Sequence, residues 1–335
     1  MSSFLTGGVL LLLQGVSERT ASQPASRPAF AVRSAWHRPA ETSEAEVEAT
    51  LRRAAAGGLR RLDVEAISEG QTFYPSPLYE SQKGFERFDA LAAFARLGPR
   101  HGIEIHGWVH VFFAGFAQAR LVREHPDWLQ RDAAGSAASI FEQFEGKGYH
   151  FLCPASEPAR AHILGGLAEL AAKGVAGIQL DYIRYPISRS EAGKTQQFCA
   201  CPRCAGDTAA DREKRILDFV TEVRRRFPRL RLSAAVFPDL AHARSEKYQD
   251  WSRFEVDELA FMSYDRDPSR VGEWIRKAPW KGPIVAGLAP FLKYPPETLI
   301  AQIRAAKDAG AAGVAFFALH SMDDALLARI AKELP

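Results

Sequence analysis

Carboxylates, histidines and aromatic rings collect at the ends of short apolar runs in this sequence of 335 residues. Gly177, Ile178, Gln179 and Leu180 lead into Asp181, with Arg184 and Tyr185 just beyond it. A guanidinium so near would keep the carboxylate ionised, as a nucleophile or a stabiliser of developing positive charge must be. The competing reading is an Asp181–Arg184 ion pair that braces a loop. Cleaving a glycosidic bond also needs a second carboxyl, held protonated, to supply the leaving oxygen. Asp239, Asp265 and Glu65 are the candidates for that role, Asp239 serving equally well as a helix N-cap. Arg33, Trp36, Tyr74, Trp108, His110, Tyr264 and His320 lie at comparable places. Together they suit a sugar, whose ring faces stack on Trp and Tyr while polar groups hold its hydroxyls. Any single one of these rings could equally be rim packing.

One rhythm of elements must position them. Apolar, β-branched or aromatic stretches at 30–36, 59–67, 104–113, 175–182, 230–237, 258–264, 283–291 and 313–319 read as strands. Helical patterns at 44–56, 88–101, 158–173, 210–227, 268–277, 296–309 and 325–334 alternate with them, and 242–254 is the least regular part. Eight strands alternating with helices predict a closed parallel (β/α)₈ barrel in a single domain over 29–335, with a cysteine-containing loop after the fourth strand. An open dinucleotide-binding sheet would want a glycine-rich turn after the first strand, where Trp36, His37, Arg38 and Pro39 stand instead. In a barrel the chemistry lies at the C-terminal strand ends, which is where the carboxylates and rings above fall. His106, Trp108 and His110 share one face of their strand by its period of two. A metal-dependent hydrolase built from His106, His110, Asp181 and His320 is a lesser alternative, lacking a tight ligand signature.

Several stretches resemble a known family. Phe30 to Trp36 (FAVRSAW), Phe73 to Ser76, Phe88 to Leu91, His101 to Trp108 and His125 to Leu129 are similar to the family-10-like glycosyl hydrolases, a group of bacterial barrel proteins. The strongest likeness is GIQLDYIRYP at 177–186, preceded by Phe151, Leu152, Cys153 and Pro154. Gln249 to Trp251, Val256 with Asp257, and Met262 to Tyr264 fit as well, so the resemblance runs over about 29–320. It implies a barrel acting on a polysaccharide or oligosaccharide through a carboxylate pair, without a cofactor. Asp181 is similar in placement to the strand-four nucleophile of the alpha-amylase superfamily, and Asp239 stands on the strand that carries the acid there. Met262, Ser263, Tyr264 and Asp265 resemble the strand-six motif of family 18 chitinases that lines the sugar site. A barrel that binds carbohydrate without cleaving it is the alternative function.

Cys199, Cys201 and Cys204 form a Cys-x-Cys-x-x-Cys group, with Cys153 or a His as a fourth member. Such a set holds a structural zinc or, in an exported protein, forms disulfides. The apolar run from Phe4 to Leu13 and the small residues near Ala25 make 1–28 a signal-like leader, although no basic residue precedes it. That points to a secreted or periplasmic protein, with no stretch long enough to span a bilayer. A net charge of +3 without a basic stripe argues against nucleic acid as a partner.

Overall fold

Eight parallel strands close on themselves, each followed by a helix. In the computed structural model, which describes residues 30–334, the strands are β1 (Val32–His37), β2 (Arg61–Ser68), β3 (Glu104–His110), β4 (Gly177–Asp181), β5 (Arg231–Val236), β6 (Glu258–Met262), β7 (Ile284–Leu288) and β8 (Gly313–Phe316). Each pairs with its neighbour in sequence, and β1 pairs with both β2 and β8, which closes the barrel. The principal helices are α1 (Glu44–Ala56), α2 (Ala90–Leu97), α3 (Glu157–Ala172), α4 (Ala209–Arg226), α5 (Leu240–Lys247), α6 (Pro268–Lys277), α7 (Pro296–Asp308) and α8 (Asp324–Ala331). The chain is therefore a single-domain (β/α)₈ barrel.

Side-chain alternation explains the layering. On β5, Leu232, Ala234 and Val236 join the outer core against the helices, while Ser233 and Ala235 face the barrel interior. Small inward residues such as Ala235, Ala260 and Ala315 leave room for the indoles of Trp36 and Trp108 in the same interior cluster. Gly287 serves this purpose too, since a Cβ there would stand 3.0 Å from the Trp36 ring. Deeper in the barrel the inward positions turn polar, with Asp63, His106, Gln179, Ser233 and Glu258 all buried. Helix starts are fixed by side-chain caps. Asp239 accepts from His242 N at 3.0 Å to open α5, and Thr208 with Asp211 forms a capping box on α4.

All eight strands fall where the sequence places them, and α1 and α6 match their expected bounds to the residue. The irregular 242–254 stretch holds the end of α5, a short helix without a strong apolar stripe. Insertions after β2, β3 and β4 carry no barrel rhythm, and the first of these holds the short strands Gln71–Thr72 and Glu80–Ser81. After β3 a small antiparallel sheet of Phe113–Gly115, Ala138–Phe144 and Lys147–Phe151 is inserted. After β4 a long loop contains the hairpin Arg189–Glu191 and Lys194–Gln196. The leader expected at 1–28 lies outside the described residues. Among the described residues no helix is long and apolar enough to cross a membrane.

Candidate active site

The C-terminal strand ends surround a cavity of about 790 Å³, the place where this fold carries its chemistry. Asp181, the last residue of β4, is buried in its wall. Its Oδ1 accepts from the Tyr182 backbone N–H at 2.6 Å, and its Oδ2 accepts from the Trp108 indole N–H at 3.1 Å. Tyr182 turns with a φ of 49°, a left-handed conformation uncommon for an aromatic residue. Its ring then stacks on Phe113 with centroids 5.0 Å apart. Burial pushes the Asp181 carboxyl upward, against the two N–H donors and the more distant charge of Arg184.

Glu65 of β2 is the second buried carboxyl in this cavity. It stands level with Trp108 of β3 in the strand register. Its Oε2 accepts from Arg38 at 3.1 Å, and its Oε1 lies 3.6 Å from His110 Nε2. Arg38 is itself partly exposed and also faces Glu69 at 3.7 Å. Burial outweighs that cation and pushes Glu65 up to about 7. His110 pairs in register with Asp181, so it stands between the two carboxyls. Its Nδ1 meets the Ser68 hydroxyl at 3.0 Å, and burial, helped by Arg38 and Arg184, pulls its pKa down to about 3. The imidazole is thus neutral at physiological pH, with a buried Nε2 lacking a hydrogen-bond partner.

Aromatic rings supply the apolar lining. Phe317, just past β8, gathers Trp36, Trp108 and Tyr264 around it at centroid distances of 5.7, 5.8 and 6.0 Å. His320 sits at the mouth on the turn after β8, its pKa lowered by burial and by His37 and Arg38. Asp239 also lines the cavity while capping α5, so both of its expected roles coexist.

Other expectations are corrected. Arg184 does not pair with Asp181: its guanidinium makes a two-pronged contact with Glu142 at 2.6 and 3.1 Å, on the sheet inserted after β3. It still lines the cavity. Asp265 is not among the cavity-lining residues, because its carboxylate accepts from Asp267 N at 2.9 Å and pairs with Arg270 at 3.1 Å. Tyr74 is fully buried away from the cavity, with the Lys173 ammonium 4.1 Å above its ring. Tyr185 is likewise buried outside the lining. Arg33 sits on the outward parity of β1, between the inward Ser34 and Val32. The histidine metal set does not assemble, since His106 lies deep in the barrel and bonds Glu104 at 2.6 Å. Trp274 of α6, Phe237, Arg38 and Arg270 join the lining without having been anticipated. Phe317 had a readable signal, continuing the inward parity of β8; Trp274 had none, because only helix packing brings it there. Cys153, Cys199, Cys201 and Cys204 are all buried, with sulfurs within 4.8 Å of one another, an arrangement able to hold a metal.

No family model matches the chain, and neither does any curated protein. Solved structures of the same fold do match. Alpha-L-fucosidase isoenzyme 2 from Paenibacillus thiaminolyticus aligns over 90% of this chain and 48% of its own, at 19% identity and a TM-score of 0.66. TtGalA, an alpha-galactosidase from Thermus thermophilus, aligns over 93% of this chain and 62% of its own, at 16% identity and a TM-score of 0.60. The glycoside hydrolase domain of PelA from Pseudomonas aeruginosa aligns over 85% of this chain and 94% of its own, at 15% identity and a TM-score of 0.50. The chain thus spans about half the length of the fucosidase it matches. At these identities the likeness is one of fold.

Proposed function

We propose that the chain is a glycosidase acting on a polysaccharide or oligosaccharide, with Asp181 and Glu65 as its carboxylate pair. One observation carries the reading: two buried carboxyls share an aromatic-lined cavity but are solvated differently. Asp181 accepts two N–H hydrogen bonds, which favour its charged form. It is suited to stabilise an oxocarbenium-like transition state or to attack it. Glu65, raised to about 7, keeps its proton in about half of the molecules at neutral pH and is suited to deliver it to the leaving oxygen. This assigns the acid to Glu65 in preference to Asp239 or Asp265. Asp239 at the cavity wall is left to hold a substrate hydroxyl. Trp36, Trp108, Tyr264 and Phe317 provide faces for the sugar ring, and the neutral His110 a hydrogen bond.

Support comes also from the matched structures, which carry the names fucosidase, galactosidase and glycoside hydrolase domain. The sequence resemblance to the family-10-like glycosyl hydrolases points the same way. The test is a polysaccharide and oligosaccharide digestion screen, read by reducing-sugar release and mass spectrometry. Wild type should cleave a member of the panel, Asp181→Asn should abolish that cleavage, and Glu65→Gln should lower it by about 10²–10⁴-fold. Undiminished cleavage by Asp181→Asn would overturn the assignment. Glycan binding by the wild type without cleavage of any substrate would favour a carbohydrate-binding barrel instead.

A further inference from the structure

The four cysteines stand apart from the proposed sugar site and carry a separate conclusion. Cys153 follows the sheet inserted after β3, and Cys199, Cys201 and Cys204 end the long loop after β4. Cys153 Sγ lies 3.4 Å from Cys204 Sγ, 3.7 Å from Cys201 Sγ and 4.0 Å from Cys199 Sγ. A tetrahedral zinc with bonds of about 2.3 Å sets its sulfurs about 3.8 Å apart. A disulfide needs about 2.0 Å between two sulfurs and leaves the other pair free to separate. One sulfur nearly equidistant from three others is the signature of a tetrahedron rather than of two bridges.

We infer that Cys153, Cys199, Cys201 and Cys204 form a structural zinc site in which all four positions are thiolates. Such a centre carries net negative charge and needs donors around it. The Arg131 and Cys201 backbone N–H groups point at Cys199 Sγ at 3.5 and 3.4 Å. Arg212 reaches the Cys199 carbonyl at 3.2 Å. Tyr185 adds a buried hydroxyl without a hydrogen-bond partner.

All four ligands come from the protein, so no position is open for a substrate or water and the metal is structural. Its effect is to tie together the chain segments that follow two neighbouring barrel strands. The inserted sheet supplies Glu142, which holds Arg184 and also accepts from Ile187 N at 2.7 Å. Ala200 N bonds Arg131 O at 2.7 Å beside the cysteines. Zinc therefore fixes the wall of the cavity next to Asp181 without entering it.

The test is metal analysis of the full chain, purified without added metal and without chelator. A single zinc per chain is expected, released when a mercurial titrates the four thiols and followed with a chromogenic chelator. Cobalt exchanged into the protein should show tetrahedral ligand-field bands and thiolate-to-cobalt charge transfer. Cys204→Ser should lose the zinc. Should that variant fail to fold, the cobalt spectrum of the wild type still decides. Metal-free protein with four titratable thiols would overturn the site, as would a mass four hydrogens lower, which marks two disulfides. Bound iron in place of zinc would overturn the choice of metal. None of these readouts depends on sugar cleavage, so the zinc site and the glycosidase reading stand or fall separately.

Discussion

Arg61 at the foot of the barrel lies 3.2 Å from Asp63 and 2.8 Å from Glu258, and Arg231 reaches Glu258 from the other side at 3.1 Å. At the mouth, Asp181 accepts only from a backbone amide and an indole, and Glu65 faces a partly exposed Arg38. Both regions bury acidic groups inside the same ring of strands. At the foot, burial alone would lower the Arg61 pKa, but Asp63 and Glu258 hold it raised, so the charges stabilise one another. At the mouth, burial wins and both carboxyls are pushed upward. Matched charge fills and fixes the barrel; at the mouth desolvation raises Glu65 to about 7 while two N–H donors favour the charged form of Asp181, and carboxyls perturbed in this way are candidates for chemistry.

That contrast can be broken at either end. Glu65→Gln should lower glycan cleavage by about 10²–10⁴-fold, the usual contribution of a general acid, and Asp181→Asn should lower it to background. Both should keep the chain folded, because each removes a desolvated acid rather than half of a matched pair; kinetics and circular dichroism on the same samples check this. Arg61→Met should do the reverse, destabilising the fold by about 3–5 kcal/mol because Asp63 would lose its buried cation, while Glu258 would keep only Arg231. Urea denaturation measures it.

A pH series sharpens the comparison. The Glu65 carboxyl is raised from 4.5 to about 7 on folding. Between those values the folded chain keeps a proton that the unfolded chain has released. Its stabilising contribution is fully present below the unfolded pKa and declines as pH rises through about 7, by roughly 3 kcal/mol. Denaturation midpoints at successive pH values should show this slope, and Glu65→Gln should flatten it. Catalysis should fall over the same upper limb, as the acid loses its proton. His110, held at about 3, should add no titration to the rate profile between pH 5 and 8. The smallest effect is expected at the rim of the cavity. Trp274→Ala should raise KM about threefold to tenfold, corresponding to about 0.5–1.5 kcal/mol of lost ring contact, with kcat little changed.

Legibility in the sequence followed the range of the forces involved. The strand carrying Asp181 was readable because Gly177, Ile178, Gln179 and Leu180 form a buried run whose end must reach the barrel mouth. Trp108 and His110 were readable because the period of two fixes which side of β3 they share. Tyr74 and Tyr185 looked like mouth residues because they follow strands. Loop paths after a strand are not periodic, and these carried both rings into packing elsewhere. Asp265 was drawn into its own turn by Asp267 and Arg270, an outcome set by local hydrogen bonds and a neighbouring helix.

The sequence by itself determined the (β/α)₈ barrel, the C-terminal placement of Asp181, Glu65, Asp239, Trp36, Trp108 and Tyr264, and the grouping of three cysteines. Hydrophobic periodicity is local, and with eight repeats of it only one closed sheet satisfies every strand. Tertiary structure alone decided which charges meet. Glu142 arrives at Arg184 from 42 positions away, and Cys153 joins Cys201 across 48. Electrostatics and burial depend on distance in space rather than along the chain, so the pairing of Arg184, the raised pKa of Glu65 and the convergence of four sulfurs exist only in the folded molecule.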